Sequence, residues 1–492
     1  MPAASSELDV LIVGAGPVGL FLANECARRG LSARIVETRD RQSEHSKALA
    51  IFPRTLEIFD MAGVAGPFLE AANRVTSVSV TAHGRQLAHV RFEPEQSPYP
   101  FIAMVPQDVT EKLLAEELVR KDRRVEYETT FVSAEERGDG VRVTLEKGGR
   151  RTELTASFVV GCDGAHSAVR HLLSLPFEGA QYEDSFLLAD VETNETLPAD
   201  ELQLCPSKFG PAAIFPMGAT RRRIVATIEQ TEGDAPSLEL VRSVLRQRAP
   251  AGIEVSSVSW ASYFRIHHRQ VAKLRVGRMF VAGDAAHIHS PFGGQGMNTG
   301  LGDVWNLAWK LDLALRRGGN ERLLDSYSAE RRPVIKDVIE TTDRLTRALG
   351  TGNRFAQALR DTIIPVLSHL SPFQHAFVNR LSGLGIAYEG SPIVEGGGER
   401  YWDDSLRGGD GIRGRLVLLV GGGADAATRE AAGKLAASLP DVLELRPGSI
   451  EGITLVRPDG YAAFSTRSHE GAAALDAVRM LLVSLVESPS PR

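Results

Sequence analysis

The chain has 492 residues, with 56 Lys and Arg against 62 Asp and Glu, a net charge of −6 and 43% hydrophobic residues. That ordinary globular balance fits roughly two to four domains and excludes a basic face for nucleic acid or an acidic membrane. Three cysteines, Cys26, Cys162 and Cys205, with no C-x-x-C pair, exclude a disulfide framework, a zinc site and dithiol chemistry and fit a reducing cytoplasm.

The first predicted element is an apolar strand over 8–13, followed at once by Gly14-x-Gly16-x-x-Gly19 and a helix carrying Leu20, Ala23 and Ala27. Arg28, Arg29 and Gly30 end that helix with positive charge and a C-cap glycine. Residues 8–27 also hold Asp9, Asn24, Glu25 and Pro17, so they do not read as a membrane span, and without a basic n-region or a cleavage site they do not read as a signal peptide. A second strand, 33–36, ends in Glu37, at the distance a dinucleotide fingerprint requires. Gly14 allows the tight turn, Gly16 lets a pyrophosphate approach the backbone, and Gly19 lets helix and strand pack closely. The helix N-terminus meets the phosphate charge, and Glu37 accepts hydrogen bonds from a ribose diol. The motif alone does not separate FAD from NAD(P).

Residues 75–92 alternate in strand fashion, and Val105-Pro106-Gln107 precedes an amphipathic helix. Residues 156–173 read as a strand ending at Asp163-Gly164, with Ser167 and Arg170 on the next helix. A crevice outside the strand ends would place Asp163 and Arg170 near a ligand; an N-capped helix after a plain turn is the alternative. Residues 177–264 hold several strand-like runs, among them AAIFPMG and RRIVATI. Arg221-Arg222-Arg223 reads as a solvated hairpin. His267 and His268 alternate along a strand, one facing in and one out, as structural histidines. At 278–282 a further strand runs into Gly283-Asp284, where Asp284 can accept a bond from a sugar hydroxyl. Pro291 to Gly296 then bring backbone N–H groups and a helix N-terminus together, a site for negative charge. His287-x-His289 has metal-like spacing but no visible third ligand, so no metal is expected.

The C-terminal third reads as a charged helix over 324–350, a linker over 388–404 rich in Gly, Pro and acidic residues, and a second glycine turn. Gly421-x-Gly423-x-x-Ala426 follows a strand and opens a helix, and Glu444 is expected after the next strand, matching a relaxed nucleotide fingerprint. Asp459-Gly460 between apolar runs signals a β-hairpin instead of another parallel unit, favouring a structural or dimerisation role over a second nucleotide site. The Ser-Pro tail is expected to be disordered.

Taken together, GxGxxG, the Cys162-Asp163-Gly164…Ser167…Arg170 motif and the Gly283-Asp284…Pro291…Gly296 motif resemble the single-component FAD-dependent aromatic hydroxylases, the flavoprotein monooxygenases similar to p-hydroxybenzoate hydroxylase and phenol hydroxylase. The branch it resembles most includes polyketide hydroxylases with a thioredoxin-like C-terminal domain. The resemblance implies an α/β fold with a Rossmann-like FAD-binding domain of the glutathione-reductase type, built from 1–74, 101–176 and 276–345. A mixed β-sheet substrate domain, 75–100 and 177–275, is interleaved with it. A helical segment and linker (346–400), a thioredoxin-like α/β domain (401–487) and a tail (488–492) follow.

The resemblance also implies site roles. Gly14, Gly16, Gly19 and Glu37 would hold the ADP half of non-covalent FAD, with Gln107, Asp163 and Arg170 near the cofactor. Asp284 would bind the ribityl chain, and Pro291 would belong to the same loop. The backbone of Gly294, Gln295, Gly296, Met297 and Asn298 would face the flavin edge. Lys47, after Ser46, stands where the family often has arginine, keeping the charge without the planar fork. Arg54 starts a helix near the cofactor. Phe209, Phe215, Met217, Trp260 and Phe264 are candidate pocket residues and equally plain core. The implied activity is hydroxylation of a phenolic or polycyclic, polyketide-like aromatic with NAD(P)H (NADPH favoured) and O2, through a flavin C4a-hydroperoxide, by a cytoplasmic monomer or homodimer. No side chain announces itself as a catalytic base. Baeyer–Villiger insertion, a flavin-binding protein without turnover and a plain NAD-dependent dehydrogenase are the alternatives.

Overall fold

The computed structural model describes residues 8–43, 46–94, 97–138, 140–195, 197–231, 233–290, 293–317, 320–349, 371–409, 414–448, 451–466 and 471–486. Pro291, the 488–492 tail, residues 350–370 of the expected helical segment and the His267 side chain lie outside the described residues.

Among the described residues, four sheets organise the fold. In the first, Leu8–Val13 runs parallel to Arg150–Gly161 on one side and to Ala33–Val36 on the other, and Met279–Val281 joins the far side of Arg150–Gly161. Register makes this arrangement functional. Val13 pairs with Gly161 and with Val36, and Gly161 pairs with Val281. All these strands therefore end at one level, and the chain leaves the same carboxyl edge at Gly14, Glu37, Cys162-Asp163 and Ala282-Gly283. A parallel sheet buried on both faces needs continuous apolar strands, which LDVLIV supplies, with Val10, Leu11 and Ile12 fully buried. Helix Pro17–Arg28 covers one face and packs against helices Gln107–Arg120 and Gly296–Arg317; Asn24 Nδ2 donates to Leu114 O (2.8 Å), and Phe21 stacks on Trp305 at 6.1 Å.

The second sheet runs in the order His287–Ile288, Val255–Val271, Phe177–Thr193, Arg221–Ile228, Ala212–Pro216, Glu201–Cys205, Ser77–Ala82, Arg85–Arg91. It is mixed, since Glu201–Cys205 is parallel to Ser77–Ala82 while its other pairings are antiparallel. Period-two alternation gives it two apolar faces. Leu187, Ala189 and Val191 face helix Leu238–Arg248, while Phe186, Leu188 and Val225 face Leu49, Phe52 and Met104. The third sheet joins Ala50–Ile51, Ile102–Met104 and Asn73–Val75.

The fourth sheet has the order Leu443–Gly448, Leu416–Gly421, Ile453–Val456, Ala462–Thr466, with helices Ala426–Ser438 and Gly471–Val486. Its first pairing is parallel and the next two are antiparallel. Glu444, expected beyond the second strand, is instead that strand's second residue, opposite Val417. Its apolar residues belong to the same core as the first sheet.

The three-arginine run is not a solvated hairpin. Arg221 is exposed, but Arg222 and Arg223 are only 1% exposed and lie within strand Arg221–Ile228. Arg222 donates to the carbonyls of Leu197 and Ala219, and Arg223 makes a bidentate pair with Asp190 on the adjacent strand (2.7 and 2.8 Å). Both terminal nitrogens of Arg222 are engaged though its Nε has no partner, and Arg223 is engaged on every side of its fork, which allows a guanidinium to be buried.

Candidate active site

The carboxyl edge of the first sheet and one face of the second meet across a cavity of about 860 Å3. The volume falls within the range of roughly 300–1,000 Å3 usual for ligand pockets. Gly14, Gly16, Glu37 and Asp163 line it from the strand ends of the first sheet, together with Lys47, Gln107, Asp284 and Gly294 to Met297; Leu188, Phe215, Arg223 and Val225 come from the second sheet.

The glycine turn is built by close approach. Gly14 has φ +99°, and a Cβ there would lie 2.5 Å from Cys162 O; a Cβ on Gly19 would lie 2.0 Å from Gly14 O. At Gly16 a Cβ would meet nothing within 4 Å, because that position opens into the cavity. Gly16 also caps the helix without a side-chain bond, so the first N–H groups are left for a ligand. Glu37 accepts from Ala15 N (2.9 Å) and Arg39 N (3.1 Å) and pairs with the Arg39 guanidinium. Burial pushes its carboxyl up, but Arg39 and the two N–H donors outweigh it and hold it below the usual range.

Asp163 Oδ2 accepts from Ala168 N (2.7 Å) and Val169 N (3.2 Å) and so pins the helix Ala168–Leu172, while Oδ1 is buried without a hydrogen-bond partner. Burial raises its pKa. Both sequence readings therefore meet in one residue: it lines the cavity and it tethers a helix start. Asp284 follows Gly283 in a short 3-10 turn and is exposed into the cavity. Accessible as it is, it stands in a deep concavity. The surrounding protein pushes its pKa up, against the attraction of His287 and Lys47.

In the following helix, Thr299 N closes the first bond to Gln295 O (2.8 Å). The N–H groups of Gly296, Met297 and Asn298 precede the ladder and face out of the helix end. The Asn298 side chain turns inward, accepting from Phe52 N (3.0 Å) and donating to Ala50 O (2.9 Å), which clips the short Ala50–Ile51 strand to the helix start. Gln107 makes a similar clip, with Oε1 accepting from Ala48 N (3.1 Å) and its own N–H donating to Ser46 Oγ (2.8 Å).

Several expected residues stand elsewhere. Arg170 does not line the cavity; it donates to Ala285 O (3.0 Å) and Ala165 O (2.7 Å), bracing the Asp163 turn against the Asp284 turn. Arg54 is the second residue of helix Pro53–Met61, but it binds Glu57 and Asp459 O beneath Tyr461, away from the cavity wall. Of the five candidate pocket residues, Phe215 lines the cavity. Phe209 is exposed beneath Lys208, Phe264 stacks on Phe186, and Met217 and Trp260 pack against the core. His287 is buried with Nε2 on Asp303 (2.7 Å).

His289 lines the cavity; its Nδ1 meets Ser290 O (3.1 Å), its Nε2 has no partner, and burial next to His287 lowers its pKa to about 4. Arg223 was hidden in the sequence. Its guanidinium also donates to Lys47 O and Ala48 O (both 3.1 Å), tying the second sheet to the segment that carries Lys47. The available signal was period two: Arg223 shares a face with Val225.

A family described as FAD binding domain matches residues 7–342. This chain belongs to that family. The 6-methylpretetramide 4-monooxygenase of Streptomyces rimosus is 35% identical, over 81% of this chain and 73% of its own length. The 12-dehydrotetracycline 5-monooxygenase/anhydrotetracycline 6-monooxygenase of Streptomyces rimosus is 32% identical, over 96% of this chain and 98% of its own. The solved anhydrotetracycline hydroxylase of Streptomyces rimosus superposes with a TM-score of 0.78 at 28% identity, covering 98% of this chain and 100% of that one. The residues present fit FAD. Gly16 leaves open the space a side chain would fill, an uncapped helix end faces that space, and a second helix end lines the same cavity. Among the described residues, no helix is long and apolar enough to cross a membrane.

Proposed function

We propose that the chain is an FAD-dependent monooxygenase that hydroxylates a phenolic or polycyclic, polyketide-like aromatic compound with NAD(P)H and O2. One observation carries the reading: a single cavity is lined by the glycine turn, the Asp284 turn and an apolar wall from a separate sheet. A dehydrogenase built on the first sheet alone has no need of that wall.

The chemistry that FAD supplies is electron uptake from NAD(P)H and activation of O2 for transfer of one oxygen atom to an electron-rich ring. The chain positions and shields. Gly14, Gly16 and Gly19 would admit the pyrophosphate to the first helix end, and Glu37 would accept hydrogen bonds from the ribose hydroxyls. Asp284, which lines the cavity, would hold the ribityl chain. The N–H groups at Gly296 to Asn298 would meet the flavin edge where negative charge develops, an arrangement of the oxyanion-hole kind. Gln107 and Asn298 support these groups through the backbone they clip. Lys47 supplies positive charge beside Asp284. Leu188, Phe215 and Val225 enclose the aromatic substrate and exclude water, which limits unproductive loss of oxidising equivalents.

The interleaved division stated from the sequence is supported by the two large sheets, whose strands alternate along the chain. A thioredoxin-like C-terminal module is supported by its one parallel pairing, hairpin and closing helix, and all three cysteines lie outside it. We favour NADPH as reductant, the cytoplasm as location and a monomer or homodimer as the assembly.

The test is oxidation of NADPH and of NADH by the purified yellow protein against a panel of phenols and anthraquinone-like compounds, with products identified by NMR. Substrate-stimulated oxidation and a hydroxylated product are expected. If no compound raises oxidation above the idle rate, the reading fails; a ring-inserted ester would replace hydroxylation by Baeyer–Villiger chemistry.

A further inference from the structure

The turn at 457–461, between strands Ile453–Val456 and Ala462–Thr466 of the C-terminal sheet, is driven into the first domain. Arg457, Asp459 and Tyr461 are buried. Asp459 O accepts from Trp305 Nε1 (3.0 Å) and from Arg54 (2.9 Å). Arg457 pairs with Asp459 and Glu330, and Glu330 also receives Lys310 Nζ and Asn306 Nδ2 (both 2.7 Å). Two cations and two anions thus neutralise one another out of water. Ion pairs this deeply desolvated add little net stability, and their best-attested use is to fix one arrangement.

From this cluster a second chain of contacts leads to the cavity. Tyr461 packs on Tyr388, with ring centroids 4.3 Å apart. The Tyr388 hydroxyl accepts from the Arg331 guanidinium (3.0 Å), which donates onward to Asp303 Oδ1 (2.8 Å) and Thr299 O (3.1 Å). The other oxygen of Asp303 accepts from Gly283 N (3.2 Å) and meets His287 Nε2 (2.7 Å). Tyr461, Tyr388, Arg331, Asp303 and His287 are all buried. The turn at its end has no slack. Gly283 has φ +58°, and a Cβ there would lie 3.0 Å from Val18; a Cβ on Gly300 would lie 3.0 Å from Gly283 Cα.

We infer that Arg331 and Tyr388 are positioning residues that hold the Gly283-Asp284 turn in register with the C-terminal hairpin. The C-terminal module then acts as a fixed abutment for the cavity and needs no ligand or thiol of its own. His287, which has metal-like spacing to His289, is a strut on Asp303. The inference rests on the flavin reading only for what Asp284 faces.

The test uses the full chain and two mild variants. Tyr388→Phe removes the hydroxyl that accepts from Arg331 but keeps the ring stack; Arg331→Lys keeps the charge but loses the fork. Asp425→Ala, in the same module but remote from the chain of contacts, is the control for a general loss of stability. Amide exchange of the peptide 279–290 in apoprotein should quicken roughly five-fold in Tyr388→Phe, the fold-change of one lost hydrogen bond, and more in Arg331→Lys. It should not change in Asp425→Ala. The FAD dissociation constant, read by flavin fluorescence, should rise in the same order, and the visible band of bound flavin should shift. Unchanged exchange at 279–290 in both variants overturns the inference, as does an equal change in the control. A wild-type protein that fails to bind FAD overturns the functional reading, and the exchange arm still decides the inference.

Discussion

The molecule carries two glycine turns of the same local grammar. Each follows a buried apolar strand, Leu8–Val13 or Leu416–Gly421, and opens a helix, Pro17–Arg28 or Ala426–Ser438. They differ in what surrounds them. The first helix begins at Gly16 with no side-chain cap, whereas Asp425 caps the second, accepting from Thr428 N (2.7 Å). A carboxylate on a helix N-terminus satisfies its donors and repels a phosphate. Glu37 leaves the sheet beside Gly14, since Val36 and Val13 are in register. Glu444 sits opposite Val417, at the far end of its sheet from Gly421, and is engaged by Arg415 and Arg446. Glycine spacing specifies a turn. A free helix end and an acidic residue on the same sheet edge specify a dinucleotide site.

The comparison breaks most visibly at the glycines. Gly19→Ala forces a Cβ to within 2.0 Å of a backbone carbonyl, which only separation of helix and strand can relieve. Loss of stability on the order of 3 kcal/mol or more is expected, read by thermal unfolding. Gly422→Ala, at a position where a Cβ meets nothing within 4 Å, should leave the melting temperature unchanged. Gly16→Ala separates folding from binding. Its Cβ also meets nothing, so the apoprotein should melt as wild type does, while FAD binds roughly tenfold more weakly because a methyl group now occupies the space of the pyrophosphate. Unchanged FAD affinity would remove Gly16 from the site.

What could be read in advance follows the range of the interactions. The glycine turns, the Asp163 and Asp284 strand ends and the hairpin at Asp459 are written in a few adjacent residues, and each stands where a strand meets a turn. The wall contributed by the second sheet is not local. Arg223 is buried because Asp190, 33 positions away, lies across from it on the neighbouring strand. Arg222 is buried because carbonyls at 197 and 219 converge on it. Aromatic residue type was only a partial guide: Phe215 does line the cavity, but Phe209 is exposed and Phe264 packs on Phe186, while the aliphatic Leu188 and Val225 complete the wall. Arg170 and Asn298 belong to the motifs in sequence, yet their side chains brace the backbone that faces the cavity.

The smallest effects sharpen the second turn. Asp425→Ala removes an exposed cap and should lower stability slightly with FAD affinity unchanged, measured by chemical unfolding and flavin titration. Glu444→Gln should do less, under about 1 kcal/mol at pH 7, since its pairs with Arg415 and Arg446 are partly solvated. The pH dependence gives the sign. Burial raises the Glu444 carboxyl, but the two arginines outweigh it and its pKa is lowered on folding. Its contribution is therefore present above the unfolded carboxylate pKa and is lost as pH falls through the folded value. The gap in stability between wild type and Glu444→Gln should close on acidification and narrow in high salt. Should Glu444→Gln instead weaken NADPH binding with the melting temperature unmoved, the second turn would be a nucleotide site after all. The contrast between an uncapped and a capped helix end would then lose its force.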